Sequence, residues 1–461
     1  MKKFKFIFKF GIGFKFKFKS ESESEFKAKT KKKLSLLFPF FIAAFIVIMA
    51  TAAFAGSTHI MLQSFGWDSM NNNQKAAWYD LIADRAADIA SAGFSLVWFP
   101  PPSNSVSQQG YLPTDYYNLG SEGSPTFYGT LGTLKKAIDK LHENKVFALA
   151  DVVINHRCAG KQDENGLWNI YQFPSGKAAW DKNMICGDDR QFDGRGAKDS
   201  GDGYGAAPDI DHNNPVVQKD IIEWLKWLKK IGFDGWRYDY VKGYAPKFIE
   251  IYDNATLPKF SVGELWTSLH YGHGIGLHET PNYDQNNHRQ QLCDWLDGAG
   301  KLATTFDFTT KGILQHAVYG EYWRLRDKDG KAAGLIGWWP ERAVTFIDNH
   351  DTGSKQQHWP FPSNKVMLGY AYILTHPGTP CVFWEHFYDW ELKAPIKKLM
   401  SARRNYGITS ASKLHIIKAE VNLYAAIIDS KIAVKLGSAD WSPGEGFKLL
   451  TSGHEYAVWG K

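Results

Sequence analysis

Eight short apolar runs, each followed by a longer amphipathic or polar stretch, constrain this chain more than any other feature of its sequence. The runs fall at 59–65, 95–99, 146–154, 235–238, 261–264, 304–308, 343–348 and 379–384. Each has the length and apolar character of a strand buried on both faces. Between them lie helix-period patterns at 78–91 (Trp78, Leu81, Ile82, Ile89), 133–144 (Leu134, Ile138, Leu141), 216–231 (Val217, Ile221, Trp224, Leu225, Leu228) and 366–375. Strand and helix alternating eight times predict a (β/α)8 barrel, whose chemistry sits at the C-terminal ends of its strands.

Two segments break the rhythm. Residues 155–212, after the third run, are rich in Asp, Gly and Asn and have little periodicity. A connection that long is functional or is held by something other than a large core. From 404 the pattern becomes short alternating runs at 414–419, 423–429, 431–436, 447–450 and 456–459, which predict a small antiparallel β-domain. The expected organisation is therefore a leader at 1–55, a barrel at 56–154 and 213–403, an inserted loop domain at 155–212, and a C-terminal antiparallel domain at 404–461.

The net charge of +6 does not describe the folded body. Residues 1–33 hold twelve Lys and three Glu, a local +9 that leaves the rest near −3, so no basic surface for nucleic acid is expected. The apolar, uncharged stretch at 34–50 follows Lys31, Lys32 and Lys33 and precedes Ala53, Phe54 and Ala55. Basic flank, apolar run and small-x-small exit predict a secretory signal cleaved after Ala55 and a secreted protein. The alternatives are a plastid address, given the unusual length of the leader, or a retained anchor at 34–50, the only route to membrane association. Cys158, Cys186, Cys293 and Cys381 are widely spaced and predict neither a zinc site nor a disulfide framework, although a Cys158 to Cys186 bridge is open to a secreted chain. Asn254 in Asn-Ala-Thr is a glycosylation acceptor if the chain enters the secretory pathway. A monomer is the default expectation.

The chemistry concentrates where strands end. In GFDGWRYDYVKG (232–243), a short apolar strand delivers Asp239 two residues beyond Arg237. A guanidinium beside a carboxyl favours the anion, as a nucleophile requires, and a structural ion pair is the plainer alternative. Three other strand ends carry acids or histidines: DVVINH (151–156), SVGELW (261–266) and TFIDNHD (345–351). Glu264 follows Ser261, Val262 and Gly263 and precedes Leu265 and Trp266, an apolar setting that raises a carboxyl pKa and suits a proton donor. The chain also has 18 Trp, and aromatic faces suit sugar rings as well as cores.

These four motifs in this order resemble the signature regions of the α-amylase family of glycoside hydrolases. GFDGWRYDYVKGY, TFIDNHDTGS and the closing EYAVWGK resemble its plant-type members. The resemblance covers about 58–461 and implies endo-hydrolysis of α-1,4-glucosidic bonds in starch and malto-oligosaccharides with retention. Asp239 is then the nucleophile, Glu264 the acid and Asp351 the third carboxylate. The resemblance implies substrate contacts for Tyr111, His156, Arg237, Lys242 and His350, and a separate surface site that stacks on starch at Trp338 and Trp339. A transglycosylase with the same three acids and a membrane-anchored, non-catalytic member of the fold are the competing readings.

Oxygen donors in the insertion point to a hard cation, calcium before magnesium. Asn155, Asp199 and Asp209 are the side-chain candidates, with main-chain carbonyls near Asp202 and Gly243. Plant-type relatives hold further calcium ions through acids in the first half of the insertion. Gln172, Phe173 and Ala179 stand near those positions and Gly203 replaces another acid, so fewer calcium ions are expected here.

Overall fold

The computed structural model describes residues 56–71, 78–272 and 280–461. The leader, with its apolar stretch at 34–50 and exit at Ala55, lies outside the described residues. Among those described, no helix is long and apolar enough to cross a membrane.

All eight apolar runs form strands: β1 (Met61–Gln63), β2 (Leu96–Trp98), β3 (Phe147–Val152), β4 (Gly235–Tyr238), β5 (Ser261–Gly263), β6 (Thr304–Phe306), β7 (Ala343–Thr345) and β8 (Thr379–Phe383). Each pairs in parallel with its sequence neighbours, and β1 closes on β8 through Met61 opposite Cys381 and Gln63 opposite Phe383. The strands are shorter than the apolar runs because the ladder stops at the rim, where the loops diverge; the residues just past it carry the chemistry.

One α-helix follows each strand: α1 (Trp78–Ala92), α2 (Leu131–Glu143), α3 (Pro215–Ile231), α4 (Lys247–Thr256), α5 (Asn286–Gly298), α6 (Phe308–Ala317), α7 (Val366–Thr375) and α8 (Lys393–Asn405). In α3 the local code is complete. Asn214 caps the start by accepting from the Val216 amide, Pro215 opens the first turn where its missing N–H costs nothing, and Gly232 ends the helix at φ 134°. Val217, Ile221, Trp224, Leu225 and Leu228 form its buried stripe. Thr130 and Thr133 build a capping box at the start of α2.

Strands β9 (Leu414–Glu420), β10 (Leu423–Ile428), β11 (Ile432–Leu436), β12 (Lys448–Gly453) and β13 (Tyr456–Gly460) make one antiparallel sheet in the order β9-β10-β11-β13-β12. It meets the barrel at a buried polar contact. His376, just past α7, meets the Tyr424 hydroxyl at 2.8 Å, and Arg403 on α8 fixes the His376 turn from the barrel side by donating to the carbonyls of His376 and Gly378, both at 2.6 Å.

The 155–212 segment has short regular pieces and an aromatic cluster, shared with the loop after β2 and continuous with the main core, which its sequence did not suggest. That cluster is built on a cation. The buried Arg157 guanidinium lies 4.5 Å from the Tyr116 ring centroid, 4.7 Å from Trp180, 5.0 Å from Phe173 and 5.1 Å from Tyr171. The four cysteines are free, so no bridge joins Cys158 to Cys186.

Candidate active site

The C-terminal ends of β3, β4 and β5 converge on Arg237, which is fully buried in β4. Its Nη1 donates to Asp151 Oδ1 at 2.8 Å and to Asp239 Oδ1 at 2.6 Å. Its Nη2 lies 2.6 Å from Glu264 Oε1, a close ion contact. One guanidinium thus serves three carboxyls. This changes the state expected of Asp239: burial and the neighbouring Asp151 outweigh Arg237 and push its carboxyl up to about 6. Burial likewise raises Glu264, helped by Asp239. Asp351 is raised well above the ordinary range by burial and by Glu264. With more acids than cations, the cluster holds protons collectively.

The loop after β7 supplies His350 and Asp351. Gln63 on β1 donates its amide to His350 Nδ1 at 2.8 Å, which leaves the ring proton on Nε2, 3.3 Å from Asp351 Oδ2. Burial and the Arg237 charge hold His350 well below its usual pKa, so it is neutral. Tyr111, from the loop after β2, donates its hydroxyl to Asp151 Oδ2 at 2.9 Å and stacks on His350, with centroids 5.1 Å apart and planes 7° apart. His156 meets the Tyr111 carbonyl at 2.8 Å and stacks on Tyr204 at 3.7 Å. Lys242 lies at the rim, its Nζ 5.0 Å from the Tyr240 ring centroid.

Four residues here escaped sequence reasoning: Gln63, Trp67, Asp151 and Tyr204. Trp67 lies nearly parallel to both Tyr111, at 3°, and His350, at 8°. Asp151 had a signal, an acid inside an apolar strand run, but its partners Trp98, Tyr111 and Arg237 come from three other elements.

The acidic loop gathers beside this cluster. Asn155 Oδ1 and Asp199 Oδ2 are buried with no hydrogen-bond partner. A cavity of about 270 Å³ opens among Asp188, Asp189, Asp199, Tyr204 and Asp209. Burial, with Asp199 and Asp189 nearby, pushes Asp209 up to about 7. Gly243 is required where it stands, since a Cβ would come 1.9 Å from Asn155 Oδ1. Asp202 enters through its backbone, its amide donating to the Lys242 carbonyl at 3.0 Å, while its carboxylate is mostly exposed, 3.9 Å from Lys242 Nζ. Among the described residues no three Asp, Glu, His or Cys side chains form a metal cluster by themselves. The orphaned amide and carboxyl oxygens nevertheless fit a hard cation completed by main-chain carbonyls. Elsewhere in the insertion, Gln172 accepts from Lys161 Nζ at 2.7 Å and Phe173 lies on Arg157.

Trp338 and Trp339 differ. Trp338 is 36% exposed and packs on Arg289, whose Cζ is 3.8 Å from its ring centroid, whereas Trp339 is partly buried against the core. A hollow of about 410 Å³ near the N-terminal ends of β2 and β3, lined by Arg404, Lys145 and Asn144, has no carboxylate and is separate from the cluster.

Residues 405–460 match the model of the "Alpha-amylase C-terminal beta-sheet domain". "Probable alpha-amylase 2" of Arabidopsis thaliana is 47% identical over 407 residues, covering 87% of this chain and 94% of that protein. "Alpha-amylase 3, chloroplastic" of the same organism is 45% identical over 405 residues, covering 87% of this chain and 44% of that longer protein. Among solved structures, the α-amylase of Geobacillus thermoleovorans complexed with acarbose superposes with a TM-score of 0.60 at 15% identity, over 88% of this chain and 98% of that one, a likeness of fold.

Proposed function

This chain belongs to the α-amylase family of glycoside hydrolases, and from that premise we propose that it hydrolyses internal α-1,4-glucosidic bonds of starch and malto-oligosaccharides with retention. One observation carries the assignment of roles: Asp239 and Glu264, at the ends of adjacent strands, contact different nitrogens of one buried guanidinium, with His350 and Asp351 brought beside them.

Asp239 attacks the anomeric carbon as its carboxylate while Glu264 gives its proton to the departing glycosidic oxygen. Glu264, now an anion, takes a proton from water, which displaces Asp239 and restores the starting configuration. Asp351 and neutral His350 hold the hydroxyls of the same sugar, and Tyr111 offers its ring face to that sugar. Asn155, Asp199 and Asp209, with carbonyls near Asp202 and Gly243, would hold one calcium ion. When bound, the ion supplies the positive charge that these acids lack.

The reading is tested on soluble starch. Iodine staining is expected to collapse before many reducing ends appear, with the first products in the α-configuration by NMR. Products of inverted configuration would overturn the roles of the two acids. Transfer products dominating in added maltose would make the enzyme a transglycosylase.

The pH profile follows from the shared protons. Asp239 works as its anion, so kcat/KM rises as that proton leaves. Because burial holds the Asp239 carboxyl near 6 in the folded protein, the acid limb is expected near pH 6, not near 4. The alkaline limb then follows loss of the Glu264 proton. An acid limb at the ordinary carboxyl range would mean Arg237 dominates the cluster after all.

A further inference from the structure

Lys311, on α6, is a charged side chain with no exposure at all. Its Nζ donates to the Trp359 carbonyl at 2.5 Å and to the Gln315 side chain, lies 3.8 Å from Asp348 Oδ1, and sits 4.5 Å from the centroid of the Trp359 ring. Asp348 in turn accepts from the Thr352 hydroxyl at 3.0 Å and from the Phe361 amide at 3.1 Å. The ammonium therefore grips both ends of the 348–361 segment. Gly312, beside Lys311, lets Trp359 lie directly on α6, because a Cβ there would come 2.6 Å from the indole.

Between those two ends the segment is folded on itself. The Asn349 side chain accepts from the amides of Asp351 at 3.0 Å and Thr352 at 2.9 Å, and the Asp351 carbonyl accepts from the His358 amide at 3.1 Å. His350 and Asp351 occupy the first turn. A buried ion pair is a poor way to gain stability, since well-packed apolar residues of the same volume do as well or better. Burial lowers the Lys311 pKa to about 8, so the ammonium is still charged at neutral pH.

We infer that Lys311 and Asp348 are positioning residues, holding the 348–361 segment so that Asp351 and His350 meet the sugar in its transition-state shape. The inference rests on the roles proposed above for Asp351 and His350. An interaction made to the sugar in its transition-state shape raises kcat and leaves KM alone, so loosening this segment is a loss expressed in kcat.

The test compares Lys311→Met with Asp348→Asn in one double variant, which removes both charges together and leaves neither buried alone. Asp351→Asn is assayed beside it, all in the full chain. For the folded double variant on maltoheptaose, kcat is expected to fall at least about tenfold with KM within about twofold. Thr352→Val, nearly isosteric and too small a change to prevent folding, removes one tether on Asp348 together with the acceptor of the Asn349 amide, both within the 348–361 segment, and is expected to lower kcat about two- to fivefold in the same pattern. Wild-type kcat in a folded double variant overturns the inference, as does a loss expressed in KM. Should the double variant not fold, an unchanged kcat in Thr352→Val overturns it. A fully active Asp351→Asn would instead remove the reading of the cleft on which the inference stands.

Discussion

Asp239→Asn is expected to lower kcat on starch by on the order of ten-thousandfold or more, with the fold unchanged, because a neutral amide replaces the carboxylate anion proposed to form the glycosyl ester. Asparagine has nearly the same shape, its Oδ1 can still accept from Arg237 Nη1, and the guanidinium keeps Asp151 at Nη1 and Glu264 at Nη2. No buried charge is left alone. The companion change Glu264→Gln is expected to cost roughly a hundred- to ten-thousandfold, the usual worth of a general acid. That loss should shrink on a substrate whose leaving group departs without a proton, such as a nitrophenyl maltoside, whereas the Asp239→Asn loss should not. Circular dichroism and thermal melting separate chemistry from folding. Melting of Asp239→Asn well below the parent would make Asp239 structural, and equal losses on both substrates for Glu264→Gln would deny it the role of proton donor.

The contrast between these residues marks what the sequence could carry. Strand and helix positions were legible because periodicity is local: 235–238 reads as a strand from its own residues and is one. The five C-terminal runs also formed strands, although burial alternates only along β13, while β10 and β11 are buried almost throughout. Helix α5 was not legible, because its buried face includes His288 and Arg289 along with Leu292, Trp295 and Leu296, so no apolar stripe announces it. The aromatic cluster of the insertion was hidden for the same reason, being gathered around Arg157. The motifs put the acids at strand ends, where the structure has them, but their protonation could not be read from them. Arg237 sits two residues from Asp239 in sequence, which suggests a private pair. In space it also faces Asp151 and Glu264, one strand away on either side. Lys311 illustrates the limit further, since nothing around it in the chain hints that its partners lie 37 and 48 residues onward.

Removal of calcium is expected to have the largest effect on stability. If Asn155, Asp199 and Asp209 hold one ion, the folded form alone binds it, and a hundredfold excess over Kd stabilises by about 2.7 kcal/mol. For a chain of this size that is a fall in Tm of roughly 3 °C on chelation. Loss should not spread evenly. The Arg157 aromatic cluster holds the first half of the insertion without the ion, so limited proteolysis of the chelated protein is expected to begin between 188 and 205, where the acids lie with no apolar packing comparable to it. Activity should fall with stability, because Gly243 packs on Asn155 four residues beyond Asp239, and the Tyr240 hydroxyl donates to the Gly203 carbonyl at 3.2 Å while its amide donates to Glu264 Oε2 at 3.3 Å. Asp209→Ala should remove the dependence of Tm on calcium, and with it the protection of 188–205. A Tm and an activity indifferent to chelator after exhaustive dialysis would make the acidic loop a solvated face that binds no cation.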